Sequence, residues 1–107
     1  MLKTVLYWTL TGALLASAGS ALAADHVVEQ KDKAFSVDEI KVKAGDTITF
    51  QNKDDVAHNI FSKDAGNEFE IPKQDPGATG TITFKTPGEV KIRCAIHPKM
   101  KLVVTVE

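Results

Sequence analysis

From Phe35 onward, apolar residues recur at every second position in short runs, each cut off by glycine, proline or a polar cluster. Thr47-Ile48-Thr49-Phe50-Gln51 alternates cleanly, and so does Thr81-Ile82-Thr83-Phe84. Val90 and Ile92 alternate with charged neighbours, and Leu102, Val104 and Val106 form a further set. A period of two sends one side of each run to a core and the other to solvent. No segment sustains a capped helical period, a single turn around residues 63–67 aside. Val27-Val28 starts a strand within the polar lead from Asp25 to Lys33, and Phe69 and Ile71 form a short strand. Phe35 and Val37 share one phase, Ile40 and Val42 the other. A bulge or small turn at Asp38-Glu39 would return both pairs to the core face. Ala44-Gly45-Asp46 and Pro87-Gly88 are turn signals, and Pro72 to Gly80 is loop. Six to eight short strands with such turns predict an all-β sandwich or small barrel. Ile48, Phe50, Ile82, Phe84, Ile92 and Val104 should be its inward residues. An immunoglobulin domain would need a Cys…Trp…Cys spacing, but the single cysteine is Cys94 and the single tryptophan is Trp8.

The first 24 residues do not read as part of this fold. Lys3 supplies a positive start, an apolar run extends from Val5 to about Ala18, and Ala21-Leu22-Ala23 is a small-x-small cleavage signature. This predicts a secretory signal peptide over residues 1–24, cleaved after Ala23 or Ala24, followed by one domain over residues 25–107. The apolar run is short for a bilayer span, so no stable membrane insertion is expected. Charge is nearly balanced, with 13 Lys+Arg against 14 Asp+Glu in interspersed order. That leaves no nucleic-acid footprint and no polybasic membrane patch.

Export makes the lone cysteine informative, because exported cysteines usually pair. Cys94 opens the stretch Cys94-Ala95-Ile96-His97-Pro98-Lys99-Met100, which sits between two predicted strands. Thiolate, imidazole and thioether follow each other at intervals of three. Taken singly, Cys94 reads as a small buried residue, His97 as a surface histidine and Met100 as core filler. His58, flanked by Val56, Ala57, Ile60 and Phe61, reads singly as a satisfied core histidine. Together they are a soft donor set on rigid loop ends, which favours copper or zinc over magnesium or calcium. The loop supplies three donors, and His58 is the histidine placed to supply a fourth. Two imidazoles and a thiolate near one plane, with a long bond to methionine, suit both copper oxidation states. Zinc would want four strong ligands, and a thioether is a poor one.

At these residues the chain resembles the cupredoxins, the small blue-copper proteins that include plastocyanin, pseudoazurin, azurin and amicyanin. Phe35…Ile40-x-Val42-x-x-Gly45-Asp46-Thr47-Ile48-Thr49-Phe50-x-Asn52 is similar to the family's N-terminal strand, turn and strand. His58-Asn59 is similar to its upstream ligand pair, and Cys94-x-x-His97-x-x-Met100 to its ligand loop. The short gap from His97 to Met100 and the His97-Pro98 pair are closest to amicyanin. The resemblance implies a cupredoxin-like Greek-key β-sandwich. It implies one copper ion at a type 1 site, with His58, Cys94 and His97 as equatorial ligands and Met100 as the axial one. By the same resemblance, Asn59 ties the two ligand loops together and His97 is the exposed edge for electron entry and exit.

The function expected is a periplasmic one-electron carrier and not an enzyme, since a filled site leaves no position for substrate. Expected partners are redox proteins such as a c-type cytochrome or a dehydrogenase, docking transiently on a monomer through Ile96 and Pro98. Lys99, Lys101, Lys53 and Lys63 would supply a charged rim. A copper chaperone or storage protein using the same atoms is the alternative. The donor nitrogens and the Cys94 sulfur are expected to lie about 3–4 Å apart.

Overall fold

The computed structural model describes residues 22–107, so the expected leader lies outside the described residues except for its last three positions. Among the described residues there are nine strands and no helix. They are β1 (Asp25–Lys31), β2 (Ala34–Phe35), β3 (Glu39–Val42), β4 (Thr47–Asn52), β5 (His58–Ser62), β6 (Phe69–Gln74), β7 (Thr79–Thr83), β8 (Gly88–Cys94) and β9 (Lys101–Val106). One sheet has the order β2-β1-β4-β7 and the other β3-β9-β8-β5-β6. Two pairs are parallel, β1 with β4 and β3 with β9, and the remaining pairs are antiparallel.

The alternation in the sequence is the alternation in space. Ile48 and Phe50 on β4, Val90 and Ile92 on β8, and Leu102, Val104 and Val106 on β9 face inward and are buried. Phe84 just beyond β7 is buried as well, while Ile82 is half-buried against the same core. Phe50 stacks on Phe69 at 6.1 Å, and Phe69 meets Phe84 edge-on at 6.1 Å, which bridges the two sheets with aromatic contact.

Four expectations need correction. Val37 is not a core residue; it is 40% exposed. Phe35 belongs to the sheet of β1, whereas Ile40 and Val42 pair with β9 in the other sheet. The phase change at Ser36–Asp38 is therefore a crossing between sheets and not a bulge within one strand. β6 runs on through Pro72 to Gln74, where loop was expected. It is an edge strand, so the N–H that proline lacks is not missed, and the register against β5 shifts there. Finally, β1 is a full seven-residue strand. It turns into β2 through Asp32 and Lys33, both with positive φ (54° and 56°), which is the two-residue hairpin turn whose twist matches that of the strands.

A buried amide links the sheets behind β5. Gln74, opposite His58 in the β5–β6 ladder, accepts from Gln30 Nε2 at 2.9 Å. Its own Nε2 donates to the carbonyls of Phe50 (2.7 Å) and Ala78 (3.1 Å). Gln74→Leu would leave the Gln30 Nε2 donor unpaired in the core and take the side-chain donor from the Phe50 carbonyl, while the Ala78 carbonyl keeps the Asn52 N–H. We expect it to lower stability by about 1–3 kcal/mol, the cost of a stranded buried polar group. A urea-unfolding midpoint checks this, and an unchanged midpoint would show that the amide network is dispensable.

Candidate metal centre

Cys94 is the last inward position of β8, in phase with Val90 and Ile92, and His58 is the first inward position of β5, in phase with Ile60. The strand period that builds the core therefore also aims the thiol and the imidazole into its end. Ile60 pairs with Cys94 across the β5–β8 ladder, so the two side chains come from adjacent strands. The turn after β8 brings His97 back over them, closed by the Met100 N–H donating to the His97 carbonyl at 3.0 Å. Met100 is then inward again and 2% exposed, just ahead of Leu102.

Three donor atoms converge. His58 Nδ1 lies 3.7 Å from Cys94 Sγ, His97 Nδ1 lies 3.8 Å from the same sulfur, and the two nitrogens are 3.2 Å apart. These are the separations expected from the sequence. A triangle with these sides has a circumradius of about 2.1 Å, against usual metal–nitrogen and metal–thiolate bonds of about 2.0–2.3 Å. The central point is thus at bonding distance from all three donors with no side-chain movement. A thiolate and two imidazoles around one point form a soft, trigonal donor set, which suits copper. Among the described residues this is the one group of three or more His, Cys, Asp or Glu side chains that converges in this way.

The surroundings hold each donor in place. Asn59 donates its backbone N–H to Cys94 Sγ at 3.4 Å, and its carbonyl accepts from the Ala95 N–H at 2.8 Å. The tie between the two ligand segments expected of Asn59 is made by its main chain. Its side-chain Nδ2 goes instead to Glu70 at 3.3 Å. His58 is fully buried, and its outer Nε2 lies 3.0 Å from Asp54 Oδ2. An ionised carboxylate only accepts, so Nε2 carries the proton and Nδ1 presents its lone pair to the triangle. Asp54 stays ionised. The Lys33 N–H (2.8 Å) holds its carboxyl well below the usual carboxylate range; burial opposes this, and His58 and the Asp55 N–H reinforce it. The Asp32-Lys33 hairpin turn therefore positions His58 indirectly. The sequence alone assigned Asp54 no role. The available signal was a carboxylate four residues before a histidine with apolar flanks.

The outer side of the loop is open. Ile96 is 55% exposed, Pro98, Lys99 and Lys101 are exposed, and His97 is half-buried. Lys53 and Lys63 are exposed on the neighbouring loops.

Comparisons with known proteins point to one family. A cupredoxin-like domain model matches residues 3–106. Amicyanin-alpha of Methylorubrum extorquens is 32% identical over 104 residues, covering 91% of this chain and 87% of that protein. A putative pseudoazurin of Rhizobium leguminosarum is 31% identical, covering 91% and 68%. Among solved structures, a reduced Cu(I) form of an amicyanin point mutant superposes with a TM-score of 0.71 at 26% identity, covering 86% of this chain and 89% of that one. The purple cupredoxin of Nitrosopumilus maritimus gives 0.68 at 26% identity, covering 77% and 99%. With sandwich, donor triangle and matched sequence all pointing one way, this chain belongs to the cupredoxin-like family.

Proposed function

We propose that the protein is a periplasmic one-electron carrier holding a single copper ion on His58, Cys94, His97 and Met100. The observation that carries this reading is the donor triangle, which is already sized for a metal and locked to core strands. When bound, the ion supplies a one-electron couple, accepting from a donor protein and giving to an acceptor.

The chain's own residues set how that couple behaves. His58 is immobilised by burial and by Asp54, and Cys94 by its strand and by the Asn59 N–H. Donors fixed in this way have little freedom to rearrange between oxidation states, so the barrier from reorganisation is small. Four donors would fill the site, so no substrate position is left and no turnover is assigned. Met100, brought inward by the loop closure, would supply the fourth and weaker donor.

His97 is the donor at the surface, between Ile96 and Pro98. These two apolar residues exclude water from the point of transfer, and the lysines around them steer a partner of opposite charge. The contact is small, as brief electron-transfer encounters are. Partners of this kind are a c-type cytochrome or a dehydrogenase, met by a monomer outside the cytoplasmic membrane. The export signal in the sequence supports that location.

The test is to load the processed protein with Cu(II), record the visible spectrum, and cycle it with a small c-type cytochrome. We expect an intense thiolate-to-metal absorption that bleaches and returns with one electron while the metal stays bound. A colourless adduct would sink the carrier reading. Copper lost at each cycle to an apo-protein acceptor would assign storage or delivery instead.

A further inference from the structure

Asp46 sits at the pole opposite the donor triangle, ahead of β4, and is 5% exposed. Its Oδ1 accepts the backbone N–H of Ala24 at 2.9 Å. Its Oδ2 accepts the Lys43 N–H at 2.9 Å and lies 3.0 Å from His26 Nε2. These contacts hold the carboxyl down to about 2, with the Ala24 N–H first, then His26 and the Lys43 N–H. Asp46 is therefore an anion at neutral pH. Among the described residues its only ion-pair partner is His26, an imidazole and not a permanent cation. A nearly buried anion held by two neutral N–H groups and one imidazole would gain further from a permanent cation at the same place.

The chain itself supplies one. Ala24 is the residue after the Ala21-Leu22-Ala23 cleavage signature. Its nitrogen is already at Asp46, and its carbonyl accepts the Thr47 N–H at 2.9 Å. Immediately upstream, the chain leaves the fold, with Ala23 exposed and Leu22 92% exposed.

We propose that processing cuts the Ala23–Ala24 bond, and that the α-ammonium group so released is the missing cation, making Asp46 the seat of the mature amino terminus. The step is a hydrolysis by a leader peptidase. The C–N bond breaks, water's oxygen joins the Ala23 carboxyl, and protons complete the ammonium on Ala24. A cut after Ala24 would remove both the donor to Asp46 and the acceptor of Thr47, and the next nitrogen lies about 3.3 Å further along the strand. This inference rests on the export reading above and decides between the two cleavage positions that the sequence leaves open.

The pair has a defined pH window. An α-amine beside a carboxylate titrates above its usual value of about 8, so its contribution is complete below that value and disappears as pH rises through the raised one. At the acid end, a depressed carboxyl contributes above its ordinary value of 3.8, and the contribution is lost as pH falls towards 2. The remaining charged groups around the same depression are His26 of β1, Lys41 of β3, Lys43 after it, and Glu107 after β9. The same four groups are present in both proteins compared below, so they cancel in the comparison.

Export the full chain in a bacterial host and measure the intact mass of the product. It should begin at Ala24; a start at Asp25 or elsewhere overturns the proposal, and an uncut chain overturns the export reading as well. Then compare this product with one from a chain carrying an extra alanine between Ala23 and Ala24, again cut after the original Ala23. That product keeps a neutral amide at the Ala24 nitrogen. Charge-assisted hydrogen bonds are roughly twice as strong as neutral ones, so the unfolding constant at pH 7 should rise about fivefold in the extended product. The difference should close near pH 10 and be absent in an Asp46→Asn background. Equal urea midpoints at pH 7 overturn the seat while leaving export intact, and this comparison decides even if Asp46→Asn fails to fold.

Discussion

Replacing Cys94 with serine is expected to abolish the visible thiolate absorption and to lower copper affinity by more than about 100-fold, the upper range for changes to groups that only support a ligand. The serine hydroxyl is a hard donor that stays protonated at neutral pH, so neither softness nor charge survives. The fold should survive. Cys94 is 2% exposed on the inward face of β8, serine is no larger, and its oxygen can still accept the Asn59 N–H. We therefore expect the metal-free urea midpoint to move by no more than about 1 kcal/mol, the usual worth of one neutral hydrogen bond. Spectra of the copper-loaded protein and competition with a chelator check both halves. A variant that stays coloured would remove Cys94 from the donor set.

The second large effect is expected away from the donors themselves. Asp54→Ala removes the acceptor of the Lys33 N–H, the Asp55 N–H and His58 Nε2 together. The Asp54 side chain is 6% exposed and that of His58 is at 0%, so little water can substitute. Stranding such donors should cost the metal-free protein at least about 2 kcal/mol. Copper affinity should fall about 10–100-fold, because His58 loses the contact that selects its tautomer. Asp54→Asn keeps an acceptor oxygen without the charge and should fall between. Asp54→Ala binding copper as tightly as the parent would show that burial alone orients His58.

Where the sequence was legible, one rule did the reading. The period of two placed Ile48, Phe50, Ile92 and Val104 on the inward face, and that phase, carried to the strand ends, also points His58 and Cys94 at each other. It failed where a polar residue occupies an inward position. Gln30 is fully buried in β1, and only its partner Gln74, far along the chain, makes that tolerable. Seen without that partner, residues 25–33 looked like a polar lead. Pro72 hid the second half of β6 because a proline argues against a strand unless the strand is an edge, and edges are a property of the sheet. Asp54 was hidden for a similar reason, since its value lies in a turn at Lys33 that only folding brings within 2.8 Å.

The two parallel strand pairs have a kinetic consequence. β3 can pair only with β9, the last strand of the chain, and β1 must wait for β4. His58 and Cys94 are 36 positions apart and meet through the β5–β8 ladder, and the loop that delivers His97 and Met100 closes against β9. Contacts of such long range are slow to form, because loop closure must be met before they gain anything. A chain threaded unfolded through a membrane channel therefore carries its thiol, imidazoles and thioether as scattered groups with no common centre. For an exported chain, metal capture belongs to the far side of the membrane, and a tightly held ion reports that the final strand has docked.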